Sequence, residues 1–165
     1  MAIKKVIEEQ LYQTEKSKQL FPKIDFADTF STINHCNTIE EITNLIFKTT
    51  PKWVAWLFGI RNKVVKFFGI NESKPDDYNE DFKVGGYIGF FKIFYLTDDE
   101  IILGADESHL NFRAVIKNDH LQQYNVKVTT LVEFNSRKGK IYMGIVKPFH
   151  RLVVKRMVRN AYAVL

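Results

Sequence analysis

The sequence lacks most of the features that would point directly to a chemistry. It holds one cysteine, Cys36, so it cannot form an internal disulfide, and a lone thiol fits a reducing cytoplasm. No glycine-rich phosphate loop, nucleophile elbow or metal-ligand spacing occurs, so we expect no cofactor, no metal and no familiar catalytic machinery.

Long apolar runs are also missing. The longest, Trp53 to Ile60, falls far short of the ~20 residues that span a bilayer, and the N-terminus has no secretory apolar stretch. These observations predict a soluble cytoplasmic protein without stable membrane insertion.

Composition favours one globular domain with a large core. The chain has 165 residues, of which 45% are hydrophobic and 14 are Phe. Its net charge of +5 is spread along the chain, and no nucleic-acid-binding motif accompanies it, so we expect no nucleic-acid partner. Residues 1–23 are interpreted as an N-terminal arm and residues 71–84 as an exposed loop of this single domain, 1–165.

The stretch from Gly85 to Pro148 predicts an antiparallel meander. Aromatic and β-branched runs alternate with turn residues, and along several runs one face is apolar while the other is polar and expected to face solvent. An earlier run, Phe26 to Asn34, predicts a first strand. The count is then six strands: Phe26 to Asn34, Tyr87 to Leu96, Glu100 to Ala105, His109 to Lys117, Tyr124 to Phe134 and Lys140 to Val146.

Helices are predicted before and after the meander. Thr38 followed by Glu41 is a capping box that begins a short helix, and Thr50 caps a second helix that runs to about Phe68. A last helix is predicted from Pro148, with Arg151, Lys155 and Arg159 as a basic stripe. That stripe is interpreted as a solvated face, with binding to an anionic membrane or partner as the alternative.

The predicted fold class is therefore α+β. Its order is a strand, two helices, a meander and a long C-terminal helix, which resembles the helix-grip fold of the START-like superfamily of polyketide cyclases and lipid-transfer proteins. More narrowly, the chain resembles a bacterial family of unknown function within that superfamily. The residues that carry this resemblance are Asp28 to Phe30, Pro51 to Val54, Leu57, Ile60 to Asn62, Gly104 to Asp106, His109 to Arg113 and Pro148 to Arg151.

The resemblance implies a curved sheet of six or seven strands that grips the last helix around an apolar cavity. If seven is right, either the N-terminal arm supplies a strand or the region from Val84 to Leu96 is split. Face sharing predicts the side chains that line the concave surface. They are Phe91, Ile93, Tyr95, Phe112, Ala114, Val128, Thr130 and Met157.

Two polar residues stand among the apolar ones. Arg61 lies in the centre of the apolar face of the second predicted helix, and we expect an ion pair with Asp28, which sits between Phe26 and Phe30. His150 is predicted to point inward at the N-terminus of the last helix. Both Arg61 and His150 are interpreted either as internally satisfied residues or as polar anchors for a ligand.

A further polar group surrounds the turn before the strand His109 to Lys117. Asp106 and His109 flank that turn, and His109 shares its strand face with Arg113. The group is either an acid–base pair or a set of solvated surface contacts.

Three functions remain open. The first is binding of a small hydrophobic or amphipathic molecule, with Arg61, His150, Tyr95, Phe91, Phe112, Thr130 and Met157 as the ligand-binding set. The second is an enzyme of the cyclase, dehydratase or hydrolase type that acts on a hydrophobic substrate. The third is a structural or interaction protein with a filled core.

Overall fold

Seven antiparallel strands form a single sheet within the described part of the chain. The structure is a computed structural model that describes residues 3–49 and 74–164, together with Lys52, Gly59, Asn62, Lys63, Lys66 and Phe67. The strands follow the spatial order β1-β2-β7-β6-β5-β4-β3. They are β1 (Ile7–Glu9), β2 (Phe26–Thr32), β3 (Tyr87–Ile88), β4 (Phe91–Leu96), β5 (Glu100–Asp106), β6 (Leu110–Asn118) and β7 (Val126–Phe134).

Two α-helices accompany the sheet in the described residues, α1 (Ile39–Lys48) and α2 (Arg137–Asn160), and a 3₁₀ turn (Ser17–Gln19) lies between β1 and β2. The α+β class with a long C-terminal helix is confirmed. Of the two helices expected ahead of the meander, α1 is present, and the prediction of a second from Thr50 to about Phe68 lies mainly outside the described residues. No described helix is long and apolar enough to cross a bilayer.

Both sources of an extra strand contribute. The N-terminal arm supplies β1, which pairs with β2. The region from Val84 to Leu96 is split by a two-residue turn in which Gly89 has φ 62°, a conformation that glycine adopts without steric cost.

The helix α1 follows from its capping box, which is confirmed. The Glu41 backbone N–H donates to the Thr38 hydroxyl at 3.3 Å, and the Thr38 N–H donates to the Glu41 carboxylate at 2.8 Å. Ile39, Ile42 and Ile46 are buried at the spacing of one helical face. This face packs onto the sheet in the main apolar core.

The C-terminal helix begins eleven residues earlier than expected. The stretch Lys140 to Val146, predicted as a strand because its residues alternate, forms the second and third turns of α2. Ser136 caps the helix by accepting from the Gly139 N–H, and Pro148 lies in the helix interior. Because α2 begins at Arg137, His150 lies in the middle of the helix and not at its N-terminus as predicted.

Gly139 explains how closely this helix begins against the sheet. A Cβ at this position would lie 2.0 Å from the backbone oxygen of His109. Only glycine permits that approach. The first turn of α2 therefore packs directly against the beginning of β6.

The second face of the sheet is buried as well, contrary to the expectation of a solvated face. Ile102, Val115 and Leu131 form a core there, and the N-terminal segment covers it with Leu20, Phe21 and Ile24. Several polar residues on this face are buried with partners. The Lys127 ammonium, for example, donates to the Glu9 carboxylate at 2.8 and 2.9 Å.

Candidate functional site

An apolar cavity of about 190 Å³ lies between the concave face of the sheet and α2. The sheet contributes side chains from β4, β6 and β7, and the helices contribute the inward faces of α1 and α2. The lining includes Ile46, Phe47, Phe91, Leu110, Phe112, Ala114, Val128, Thr130, Val132, Tyr142, Met143, Val146, His150, Val153, Val154 and Met157. Of the predicted ligand-binding set, the structure brings Phe91, Phe112, Thr130, Met157 and His150 together here.

The cavity is framed by aromatic rings in edge-to-face contact. Phe91 meets Phe47 with ring centroids 5.3 Å apart and Phe112 at the same distance. Such pairs add about 0.5–1.5 kcal/mol beyond their buried area, so these contacts stabilise this wall of the cavity. The rings from β4, β6 and α1 thus form one continuous aromatic side of the cavity.

One buried acid contacts a histidine of the cavity wall. Asp28 on β2 is paired in register with Thr130 on β7, and its carboxylate lies 3.3 Å from Nε2 of His150 on α2. The Asp28 side chain is 6% exposed and that of His150 20%. Neither carboxylate oxygen makes a hydrogen bond within the described residues, so the contact is an ion-pair distance without hydrogen-bond alignment.

The ring of His150 is positioned by Phe26. Their centroids are 5.6 Å apart with planes at 85°, an edge-to-face arrangement. Both Asp28 and His150 were noted from the sequence, but their pairing was not. Arg61, the expected partner of Asp28, lies outside the described residues, and its ion pair stays a prediction.

A second histidine reaches the cavity from the β5–β6 turn. His109, 2% exposed, has its Nδ1 3.4 Å from the Glu107 carboxylate and its ring 5.0 Å from that of Tyr142. All three residues line the cavity. The close approach at Gly139 brings Tyr142 to this place. Sequence reasoning missed Glu107 and Tyr142, and the Ser136 cap was the signal that would have placed Tyr142 inward.

The predicted group of Asp106, His109 and Arg113 is divided between the two faces of the sheet. The Arg113 guanidinium forms an ion pair with the Asp106 carboxylate at 2.8 Å and lies 3.7 Å from the centroid of the Phe94 ring on the outer face. His109 belongs to the cavity side. Asp106 and Arg113 therefore form a structural contact away from His109.

Tyr95 was placed on the concave surface, and that placement is wrong. Ile93 pairs with Leu103 whereas Tyr95 pairs with Ile102, so Phe94 is an extra residue in β4. Such a bulge shifts the alternation by one residue. Tyr95 consequently packs in the outer core, while Ile93 remains in the inner core.

The described residues contain no group of three or more His, Cys, Asp or Glu side chains that would hold a metal ion. The polar side chains that line the cavity are His150, Glu107, His109 and Tyr142, and they supply acid–base and hydrogen-bonding groups within an apolar surface.

The comparisons with known proteins give one match. The model of a family described as "Protein of unknown function (DUF2867)" matches residues 20–157. No curated protein and no solved structure matches the chain. The matched range begins in the N-terminal segment that covers the outer face and ends one turn before the end of α2. It therefore includes β2 and the strands that line the cavity. The chain belongs to this family of unknown function, DUF2867.

Proposed function

We propose that the chain binds a small apolar or amphipathic molecule in the cavity between the sheet and α2. The observation that carries the proposal is an apolar cavity of about 190 Å³ with the polar side chain of His150 on its wall, which Asp28 contacts from behind. Protein interiors are normally close-packed. An apolar space of this size with a polar side chain on its wall is typical of a small-molecule binding site.

Cavity size limits the ligand. Engineered apolar cavities of about 150 Å³ bind benzene, whereas drug-sized ligands occupy about 300–1,000 Å³. The proposed ligand is therefore one ring with a short substituent, or a short acyl chain. Its polar group is placed beside His150, because that imidazole lines the cavity from α2 and a fifth of its side chain remains exposed.

The superfamily assignment is part of this proposal. A sheet that grips a C-terminal helix around an apolar cavity supports START-like membership as a single cytoplasmic domain. Arg61 is retained as a second polar anchor or as an additional partner of Asp28, as its position in an apolar helical face suggests.

Calorimetric titration with para-propylphenol and with propylbenzene tests the proposal. We expect one site for each, with the phenol bound more tightly because its hydroxyl reaches the His150 imidazole. Ala114→Trp fills the cavity from β6 and should abolish binding while the fold is retained. Asp98→Trp, which adds the same ring at an exposed turn, is the matched control and should bind normally.

Undiminished binding by the Ala114→Trp protein would place the ligand elsewhere. Absence of binding by the wild type to either compound, and to short-chain alcohols, would favour a structural protein with a permanently empty cavity.

Catalysis is the second candidate, favoured by the Asp28–His150 contact at 3.3 Å. A carboxylate beside an imidazole is a common arrangement for a general base. In this apolar site it would abstract a proton next to a carbonyl group, as a cyclase or dehydratase requires. Deuterium exchange at the α-carbon of a small bound ketone in D₂O tests this. Exchange should be lost in His150→Gln without loss of ketone binding, and exchange at the solvent rate in wild type would exclude the activity.

A further inference from the structure

Four large apolar side chains are exposed along one line of α2. They are Ile141, Ile145, Phe149 and Leu152, with exposures of 54%, 48%, 45% and 60%. At ~100° per residue these positions lie within a sector roughly 80° wide. The inward face of the helix is a different one, occupied by Tyr142, Met143 and Met157. We name the four exposed residues the apolar stripe.

The same helix carries only positive charge. Its 24 residues include Arg137, Lys138, Lys140, Lys147, Arg151, Lys155, Arg156 and Arg159, and no Asp or Glu. Lys140, Lys147, Arg151 and Lys155 occupy the sector next to the apolar stripe by the same angular count. An exposed apolar sector beside a basic one is typical of helices that lie on anionic membrane surfaces.

The cavity reaches the surface beside this stripe. Phe149 lines the cavity and is exposed, and Phe90, 64% exposed, does the same from the β3–β4 turn. The apolar stripe therefore runs past the edge of the cavity.

We propose that the apolar stripe of α2 docks peripherally on an anionic lipid bilayer and turns the edge of the cavity toward it. The lipid acyl region accepts the four apolar side chains, and the flanking Lys and Arg side chains contact anionic headgroups. A second copy of the chain fits less well, since two such helices would bring like charges together. Nucleic acid would satisfy the cations but leave the apolar stripe in water.

Co-sedimentation with vesicles tests the docking. We expect the full-length protein to bind vesicles of phosphatidylcholine mixed with phosphatidylglycerol, and to bind phosphatidylcholine alone roughly tenfold more weakly. Ile145→Ser with Leu152→Ser should reduce binding to anionic vesicles by roughly tenfold or more, because both side chains leave the bilayer. Lys155→Glu with Arg159→Glu should reduce binding to anionic vesicles and leave the weak neutral binding unchanged.

Matched controls separate docking from general stickiness. Leu11→Ser with Leu121→Ser removes two other exposed leucines, 47% and 55% exposed. Lys16→Glu with Lys18→Glu reverses two charges on the N-terminal segment and, like the α2 charge variant, lowers the formal net charge from +5 to +1. Both controls should bind vesicles as the wild type does.

Several results would overturn the proposal. Equal binding to neutral and anionic vesicles, no vesicle binding, or an equal loss in the controls would each do so. Sedimentation that shows a dimer dissolved by the Ile145 and Leu152 changes would assign the stripe to self-association, and preferential DNA binding would assign it to nucleic acid. Vesicle binding needs no ligand in the cavity, so its outcome is independent of the calorimetric titrations.

Discussion

Replacing His150 by Leu should destabilise the protein, because the buried Asp28 carboxyl group would lose the polar side chain described beside it. The Asp28 side chain is 6% exposed and the imidazole Nε2 lies 3.3 Å from its carboxylate. Neither carboxylate oxygen has a hydrogen bond within the described residues. Leu is apolar and close to His in size, so the change removes the partner while the space stays largely filled.

The expected cost follows from burial. Leaving a buried polar group without a partner costs about 1–3 kcal/mol. His150 keeps a fifth of its side chain exposed, and the contact is not an aligned hydrogen bond, so we expect about 2 kcal/mol. Asp28→Asn keeps the shape and removes the charge, at about 1 kcal/mol. The double variant should be more stable than the sum predicts by about 1–2 kcal/mol, since the two residues are in contact.

Urea unfolding followed by circular dichroism measures these differences, and a constant m-value would show that the comparison is two-state. His35→Leu is the control, since His35 is exposed and should change stability by no more than about 0.5 kcal/mol. A His150→Leu protein as stable as this control, or additive single changes, would refute the coupling. Wild-type stability with lost phenol binding would instead assign His150 to the ligand.

Three further predictions concern stability measured by the same urea assay. Gly139→Ala should destabilise the protein by more than about 1 kcal/mol, because the added Cβ would lie 2.0 Å from a backbone oxygen. Gly144→Ala is the control: the space around Gly144 is open, so this change should stabilise the protein by up to about 1 kcal/mol. Equal effects of the two changes would contradict the close approach at Gly139. Thr38→Ala should cost about 1 kcal/mol through loss of the α1 cap, and no loss would mean that the capping box is not needed. The pKa of Asp25 is lowered by its contact with Lys23 and by the Phe134 N–H. Its stabilisation is therefore present above the unfolded pKa near 4 and lost as pH falls through the folded value, so Asp25→Asn should flatten the acid-side slope of stability against pH, and an unchanged slope would contradict this contact.

Strand positions could be predicted from the sequence where turn residues clearly separate the strand-forming runs. The meander has turn residues between aromatic and β-branched runs, so β5, β6 and β7 lie close to their predicted ranges. The prediction of a strand at Lys140 to Val146 was wrong, because alternation in a short apolar run fits a strand and a helix alike. The residues that decide between them are Ser136, which caps the helix, and Gly139, which lets it approach β6.

The cavity wall was predictable where face alternation was unbroken. Phe112 and Ala114 on β6, and Val128 and Thr130 on β7, reach the cavity as the period of two requires. Tyr95 does not, because a bulge in β4 cannot be read from local composition. The Asp28–His150 contact joins residues 122 positions apart in the sequence, and only the tertiary packing of α2 on β2 brings them together.

The way the sheet uses its charges supports the role proposed for α2. Arg113 and Lys127 are buried on the outer face, and each has a carboxylate partner, Asp106 and Glu9 respectively. Burying such cations without partners would be costly, so the N-terminal segment supplies both apolar cover and an acidic side chain. The helix α2 has no acidic residue of its own, and its Arg151 pairs with Glu8 of β1 at the surface. The buried cations of the sheet are therefore neutralised by nearby carboxylates. The exposed cations of α2 other than Arg151 lie on the helix that carries the apolar stripe, where an anionic surface would complement them.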